Sequence, residues 1–219
     1  MLDLYGVTID EWEPYLALCR QGAMHGWWRD FGLADRGYVA LEAAATRVRS
    51  FEMGLVPGLL QTPEYTRALF EAAVAPPPVE QWERQLQVRM LRQRRLYCED
   101  DPLELVTVLD EAAVRRPVGG AEVHREQLEH LVIAAELDTV TLQIVPTEVG
   151  AHSSLYGGFT LLSFPDPDEP ELAYVEHLTG SSHIEKAGVV ERCSMAFERL
   201  RTVALSPAES LDLVERLIT

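Results

Sequence analysis

An α+β fold is predicted for this chain of 219 residues, with a helical N-terminal half packed beside a small mixed β-sheet. Two observations predict it. Apolar residues recur at helical spacing through the front half of the chain. From Leu103 to Leu109 the pattern changes to a short run rich in β-branched residues, which is typical of a strand. We therefore place a helical front at residues 1–98 and a sheet portion at residues 99–219, and expect them to form one compact unit.

The helical front is predicted to contain four helices. Thr8 and Glu11 form a capping box at the start of the first helix. Pro57 bends the chain before the third helix, for which Thr62 is the N-cap and Pro63 lies in the first turn. The stripes that predict helices two to four are Tyr38, Leu41, Ala45 and Val48; Tyr65, Ala68, Leu69 and Ala72; and Trp82, Leu86, Arg89 and Gln93.

The sheet portion is predicted to start with a β-α-β unit, followed by a hairpin and two closing helices. A crossover that contains a helix allows the two strands of the unit to be parallel neighbours. Ser206, with Pro207 after it and Glu209 three residues on, is a second capping box. The elements are predicted at residues 103–109 (strand), 120–137 (helix), 139–145 (strand), 159–164 and 172–178 (hairpin), and 189–205 and 206–219 (helices).

Composition excludes several classes of protein. The formal net charge is −16, and such a surface repels nucleic-acid phosphates, so we do not expect this chain alone to bind DNA. Its three cysteines are far apart and odd in number, which favours neither a zinc site nor a disulfide framework. No apolar run approaches the roughly twenty residues that span a bilayer. We expect a cytoplasmic protein without a membrane segment, metal or cofactor.

The most informative segment is the corner between the second and third predicted helices, residues 56–62, with Tyr65 one turn later. It places the polar Gln61 among apolar residues. A buried amide usually bonds to backbone groups, so Gln61 has a structural explanation. The alternative is that Gln61 and Tyr65 line a pocket.

Six short motifs, in a fixed order, resemble those of a family of actinobacterial regulators. The family joins an N-terminal Xre-type helix-turn-helix to a C-terminal domain of unknown function. Its members are described as toxin-antitoxin-like antitoxin transcriptional regulators, to which WhiJ-type regulators are related. The motifs are Val56-Pro57-Gly58-Leu59-Leu60-Gln61-Thr62, Gly26-Trp27-Trp28, Leu41-Glu42 with Ala43 to Ala45, Arg89-Met90-Leu91-Arg92-Gln93, Asp110-Glu111-Ala112-Ala113 and Pro117-Val118-Gly119-Gly120.

The resemblance implies a domain that receives a small partner protein or a small molecule and passes the event to a DNA-binding head. The resemblance begins near Leu4, and no segment of this chain corresponds to the head. Residues 2–7 resemble only its end. A fragment, an alternative start and a stand-alone version all remain open.

The third and fourth predicted helices provide the main candidate site. Arg89 and Gln93 are four residues apart and share a helix face. If they point inward, they are expected to anchor Glu42 or Glu111 and to form a polar cluster near Gln61. For Arg84, Arg92 and Arg95, which form a basic stripe, the expectation is a solvated face.

Four other residues complete the candidate list. Glu111 follows a predicted strand and Glu176 interrupts another, so either carboxylate could bind a ligand, although pairing with arginine explains both equally simply. The loop around His152 resembles the family's glycine-and-histidine connection, where His152 either lines a site or is exposed. Trp28 is expected either to pack the front helices or to face a partner.

Neither hydrolase chemistry nor a metal site is predicted. His124 and His130 do not share a helix face, and the Ser-His segments lack a nucleophile elbow. The preferred function is therefore a non-enzymatic regulatory domain. The alternatives are a stand-alone enzyme or small-molecule binder with a pocket at Gln61, Tyr65, Arg89, Gln93 and Glu111, and a homodimer formed through the helical front.

Overall fold

A computed structural model of the protein describes residues 26–32, 37–74, 78–166 and 168–218. The helix predicted from Thr8 lies outside these residues. The chain divides into two compact units, Met1–Ala40 and Leu41–Thr219. In the first unit, a 3-10 helix at Trp27–Phe31 ends at Gly32, whose φ of 72° is in the left-handed region that glycine adopts easily.

The described elements confirm the predicted α+β class, with six strands in one sheet. Short 3-10 turns lie at Gly58–Leu60, Arg94–Tyr97 and Thr147–Val149. The helices and strands are α1 (Tyr38–Ala44), β1 (Arg47–Glu52), α2 (Pro63–Glu71), α3 (Val79–Gln93), β2 (Glu104–Asp110), α4 (Glu111–Arg115), α5 (Ala121–Ala134), β3 (Val140–Val145), β4 (Phe159–Ser163), β5 (Leu172–His177), β6 (Gly180–Ile184), α6 (Ala187–Val203) and α7 (Pro207–Ile218).

The sheet is mixed, in the order β3-β2-β1-β4-β5-β6. Strands β1, β2 and β3 are parallel, which confirms the predicted β-α-β pairing of β2 with β3. The predicted β4–β5 hairpin is also confirmed, since β4 runs antiparallel to both β1 and β5. Strand β6, which the sequence pattern did not reveal, adds to β5. As a result, four strands have their carboxyl ends at the same end of the sheet, which we call the carboxyl edge. These strands are β1, β2, β3 and β5.

The main correction concerns Val48, which was expected in a helix and lies in the central strand β1. Helix α1 ends at Ala44, and the Arg95 guanidinium accounts for this end by donating to the carbonyls of Glu42, Ala43 and Ala45. Beyond that point the chain forms a strand although its apolar spacing predicts a helix. Successive strand residues point to opposite faces, and both faces of the sheet pack against other parts of the protein.

The two faces of the sheet differ in character. One face packs against α6 through an apolar core that includes Phe51, Val108, Leu161 and Phe197. On the other face, Ser50 Oγ and Thr107 Oγ1 are 2.9 Å apart and buried.

Two of the three predicted capping devices are present, and the third, at Thr8, lies outside the described residues. Thr62 Oγ1 accepts from Tyr65 N at 3.2 Å, and Ser206 exchanges bonds with Glu209 as a capping box. No helix in the described part of the chain is long and apolar enough to cross a membrane.

Candidate functional site

The corner between β1 and α2 is closed by three of the predicted site residues. Gln61 Nε2 donates to the Val56 carbonyl at 2.6 Å, and Gln61 Oε1 accepts from Thr66 Oγ1 at 3.1 Å. The fully buried Tyr65 accepts from Val56 N through its hydroxyl at 3.2 Å. Gln93 Nε2 donates to the Gly58 and Gln61 carbonyls at 3.1 and 2.8 Å. These bonds agree with the structural explanation of Gln61, in which a buried amide bonds to backbone groups.

A further glutamine, which the sequence pattern did not reveal, holds the same corner from α5. Gln127 is fully buried; its Oε1 accepts from Thr62 N at 2.8 Å and its Nε2 donates to the Leu60 carbonyl at 2.7 Å. Because Gln127 lies more than sixty residues from the corner in sequence, only the folded chain brings them together.

Arg89 and Arg92 of α3 point inward whereas Arg84 is exposed, and Arg89 joins the predicted polar cluster at Gln61 but does not bond to Glu42 or Glu111. Arg89 donates to Gln61 Oε1 and lies 5.8 Å from the centre of the Phe70 ring. Arg92, rather than Arg89, forms the bidentate pair with Glu42, with both N–O distances at 2.6 Å. The expectation that Arg92 and Arg95 belong to a solvated face is therefore wrong, because both serve as partners for buried groups of the α1 region.

Glu111 is buried and has a structural role. Its carboxylate accepts from Arg115 Nε at 2.5 Å and from Thr147 N at 2.7 Å, so it joins the end of β2 to the turn after β3. Burial works to raise the pKa of Glu111, but the hydrogen bonds from Thr147 and Arg115 outweigh it and hold this pKa below its ordinary value. Glu111 does not reach Arg89 or Gln93.

The carboxyl edge of the sheet brings together acids from three parallel strands. Glu52 ends β1, Asp110 ends β2 and Glu176 lies near the end of β5. Glu176 is exposed and accepts a hydrogen bond from the Tyr174 hydroxyl at 3.0 Å. Asp110 caps α4 by accepting from Ala112 N at 2.8 Å.

Glu52 is the unusual member of this group. Burial, aided by the charge of Glu176, raises the pKa of Glu52 to about 8, although part of the residue remains accessible to solvent. Among the described residues, none donates a hydrogen bond to its carboxylate. We call the surroundings of this carboxyl group, which protein encloses but solvent partly reaches, the crevice.

The surroundings of Glu52 connect the carboxyl edge with the corner. Burial and the neighbouring Arg92 lower the pKa of Arg89 to about 10, while the charge of Glu176 opposes this. Burial raises the pKa of Tyr65, and the charge of Glu52 adds to the effect. Gly158 borders the crevice: a Cβ there would lie 2.6 Å from the Phe51 carbonyl oxygen and 3.5 Å from Glu52 Oε2.

His152 packs against the sheet instead of lying exposed. Its side chain is only 3% accessible, its ring centre is 5.3 Å from that of Phe51, and its Nε2 is 3.6 Å from Asp110 Oδ2. Nδ1 accepts from Ser154 N at 3.3 Å, whereas Nε2 has no hydrogen-bond partner among the described residues. The exposed alternative for His152 is therefore wrong.

Trp28, His124 and His130 lie on other elements of the chain. Trp28 lies in the 3-10 helix of the first unit and is partly exposed. His124 and His130 lie on α5, where burial lowers the pKa of each. Over residues 26–32, 37–74, 78–166 and 168–218, no three His, Cys, Asp or Glu side chains are placed to hold a metal ion.

One family model matches the chain. It is described as a domain of unknown function, DUF5753, and it covers residues 35–216. No curated protein and no solved structure matches the chain. The matched range contains the whole corner and the whole carboxyl edge, so both are features of the matched domain.

Proposed function

The chain belongs to the DUF5753 family, and we propose that it is the regulatory domain of an Xre-type transcriptional regulator of the antitoxin-like class. In this role it binds an effector, a small molecule or a small partner protein, and transmits the event to a DNA-binding head. The effector site is the crevice at the carboxyl edge of the sheet. The observation that supports the proposal is Glu52, whose carboxyl group lies in that crevice without a hydrogen-bond donor among the described residues.

An accessible acid with a strongly raised pKa is costly for the fold and is typical of functional sites. Crevices outside the carboxyl ends of parallel strands are also the usual place for ligands in open sheets of this kind. Glu52 meets both criteria, since it ends a parallel strand and burial raises its pKa.

The corner provides a rigid wall for this crevice. Gln61 orients Arg89, and Gln93 fixes the backbone on which Gln61 is carried. The charge of Glu176 works to raise the pKa of Arg89 and also raises that of Glu52. The corner therefore holds a cation near two carboxyl groups, and an effector with complementary polar groups can bind among them.

The test uses the full-length regulator, with the helix-turn-helix encoded in frame upstream. Its operator affinity is measured by fluorescence anisotropy, with and without a small-molecule extract of the source cells. We expect the extract to change the affinity roughly tenfold, as is common for coupled sites. Glu52→Gln should lose this response, whereas the control Glu104→Gln, at an exposed ion pair with Arg47, should keep it. An extract response that survives in Glu52→Gln, or the lack of an upstream helix-turn-helix, would contradict the proposal.

A stand-alone enzyme is the second candidate function. It is favoured by the same carboxyl group, because an acid with a pKa of about 8 can donate and accept protons near neutral pH. Mass spectrometry of the extract after incubation with the protein would detect turnover. Loss of a metabolite with wild-type protein, but not with Glu52→Gln, would support the enzyme; equal profiles would exclude it for the metabolites of that extract.

A further inference from the structure

The two outermost strands of the sheet, β3 and β6, differ in whether other parts of the chain cover their outward backbone groups. At the β3 edge, Ile144 N donates to Ser210 Oγ at 2.9 Å and the Ile144 carbonyl accepts from Leu205 N at 2.8 Å. Gln143 Nε2 also donates to the Leu205 carbonyl at 2.9 Å. Helix α7 and the segment before it therefore satisfy the outward backbone groups of Ile144 and cover this part of the β3 edge.

The opposite edge is open. Gly180, Ser181, Ser182 and His183 are all exposed, and in the described part of the chain β6 pairs only with β5. Open edges are usually protected by lysine, proline or a bulge, because their free N–H and C=O groups accept any extended chain. Strand β6 contains neither lysine nor proline, and its pairing with β5 is regular.

We propose that the β6 edge binds an extended, positively charged segment of a partner protein, which adds to the sheet as a further strand. Main-chain hydrogen bonds supply the attraction in this mode of recognition, and side chains of the flanking strands supply the selectivity. The inference concerns the backbone of a different strand from the one that ends at Glu52, and it shares one residue, Glu176, with the effector crevice.

The charge of the partner follows from the acids beside the edge. Glu176 is exposed and lies directly opposite Ser181 in the β5–β6 register. Because serine is short, a lysine or arginine on the added strand can extend over Ser181 to Glu176, about two strand spacings away. Glu185, directly after β6, is exposed as well, but the exposed Lys186 beside it carries the opposite charge, so Glu176 is the acid that mainly selects a basic partner.

The turn between β5 and β6 offers an apolar contact to the same partner. The Leu178 side chain is 97% exposed at the tip of this turn. An apolar residue at the end of the added strand can pack on it. The complete surface thus combines a strand edge, two carboxylates and one leucine.

A second copy of this chain fits the edge poorly. Each copy has a net charge of −16 and carries the same Glu176 and Glu185 beside its edge. Edge-to-edge pairing would place the two Glu176 residues about three strand spacings, roughly 14 Å, apart, and the net negative charge of the two copies would oppose it. A basic segment gains from the charges that oppose self-association.

The experiment uses the full chain and an acetylated, amidated seven-residue peptide of alternating lysine and valine. Amide hydrogen exchange is followed by NMR. At a peptide concentration ten times its dissociation constant, exchange at alternate β6 amides should slow roughly tenfold, while the β3 amides stay unchanged. The matched peptide of alternating glutamate and valine should give no protection. Equal protection by the two peptides, or protection elsewhere than β6, would overturn the proposal.

Two pairs of variants separate the contribution of main-chain hydrogen bonds to peptide binding from that of side-chain charge. Successive strand residues direct their N–H groups to opposite edges, so one of Ser181→Pro and Ser182→Pro removes an outward donor and keeps the bonds to β5. That variant should stay folded and lose binding. Glu176→Gln with Glu185→Gln should weaken peptide binding severalfold, and the remote Glu129→Gln should not change it. Unchanged binding in the folded proline variant, or a dimer by light scattering whose β6 amides are already protected, would refute the basic-partner inference.

Discussion

The corner after β1 and the crevice at the end of β1 are near neighbours in sequence, but they differ in whether their buried polar side chains have hydrogen-bond partners. In the corner, Gln61 and Gln93 have hydrogen-bond partners for their side-chain amides. Glu42, which is only 2% exposed, has both oxygens bound to Arg92. At the crevice, Glu52 has a raised pKa and no donor among the described residues.

This difference indicates different roles. A buried polar group with all its partners stabilises one particular structure. A carboxyl group without partners costs stability, and such a group is retained where it meets a ligand. We therefore propose that the corner is a structural frame and that the crevice is the binding site. Mutations should distinguish the two regions. Replacing a residue of the corner should lower the free energy of unfolding at every pH, whereas replacing Glu52 should change it only at some pH values.

The largest effect is expected at the Glu42–Arg92 pair. Glu42→Ala removes both bonds to the guanidinium from an almost fully buried position, and breaking such a pair costs about 3 kcal/mol. Urea unfolding followed by circular dichroism measures this loss. The control is Glu104→Gln, at a pair in which both side chains are about half exposed; it should change stability by less than about 0.5 kcal/mol. Similar losses in the two variants would contradict the assignment of Glu42 to the frame.

Gln61→Ala should have the second-largest effect. It leaves the Val56 carbonyl, the Thr66 hydroxyl and Arg89 without their shared partner, and unsatisfied buried groups cost about 2 kcal/mol in such a case. Gln85→Ala on the exposed face of α3 is the control and should stay within about 0.5 kcal/mol of wild type. If Gln61→Ala kept full stability but lost effector binding, Gln61 would belong to the site instead.

The sequence predicted those features that depend on local pattern. The run from Leu103 to Leu109 predicted β2, and the Thr62 cap predicted the start of α2, because both signals lie within the element itself. Val48 was assigned to the wrong element because it continues an apolar stripe, and only the neighbouring strands β2 and β4 make its segment a strand.

The candidate site was predictable only in part. The corner was recognised from Gln61, but its partner Gln127 lies on a distant helix and no local signal connects the two. Glu52 was missed for a related reason: the residue looks ordinary in sequence, and its raised pKa arises from burial by distant segments and from Glu176. Site chemistry of this kind is a property of the assembled sheet edge.

Glu52→Gln should reveal its effect through pH. In the unfolded chain the carboxyl group ionises near 4.5, whereas in the folded protein it holds its proton up to about pH 8. Between these values the folded state binds more protons, so the stability of the wild type falls as pH rises. Glutamine does not ionise, so at pH 9 the variant should be more stable than wild type by about 2 kcal/mol, after allowance for partial exposure. Below pH 4.5 the two proteins should differ little. Urea unfolding at pH 4 and pH 9 measures both, and a difference independent of pH would show that Glu52 has an ordinary pKa.

Glu176→Gln should have the smallest effect on stability, within about 0.5 kcal/mol, because Glu176 is exposed. Its informative effect is on Glu52. Burial is the larger cause of the raised pKa of Glu52 and the charge of Glu176 is the smaller, so removing that charge should lower the pKa of Glu52 but leave it above 4.5. Carboxyl ¹³C chemical shifts followed against pH measure this directly, with Glu185→Gln as the control variant. A return of the Glu52 pKa to its ordinary value would mean that Glu176, not the crevice, sets it; the crevice would then lack the buried acid that distinguishes it from the corner.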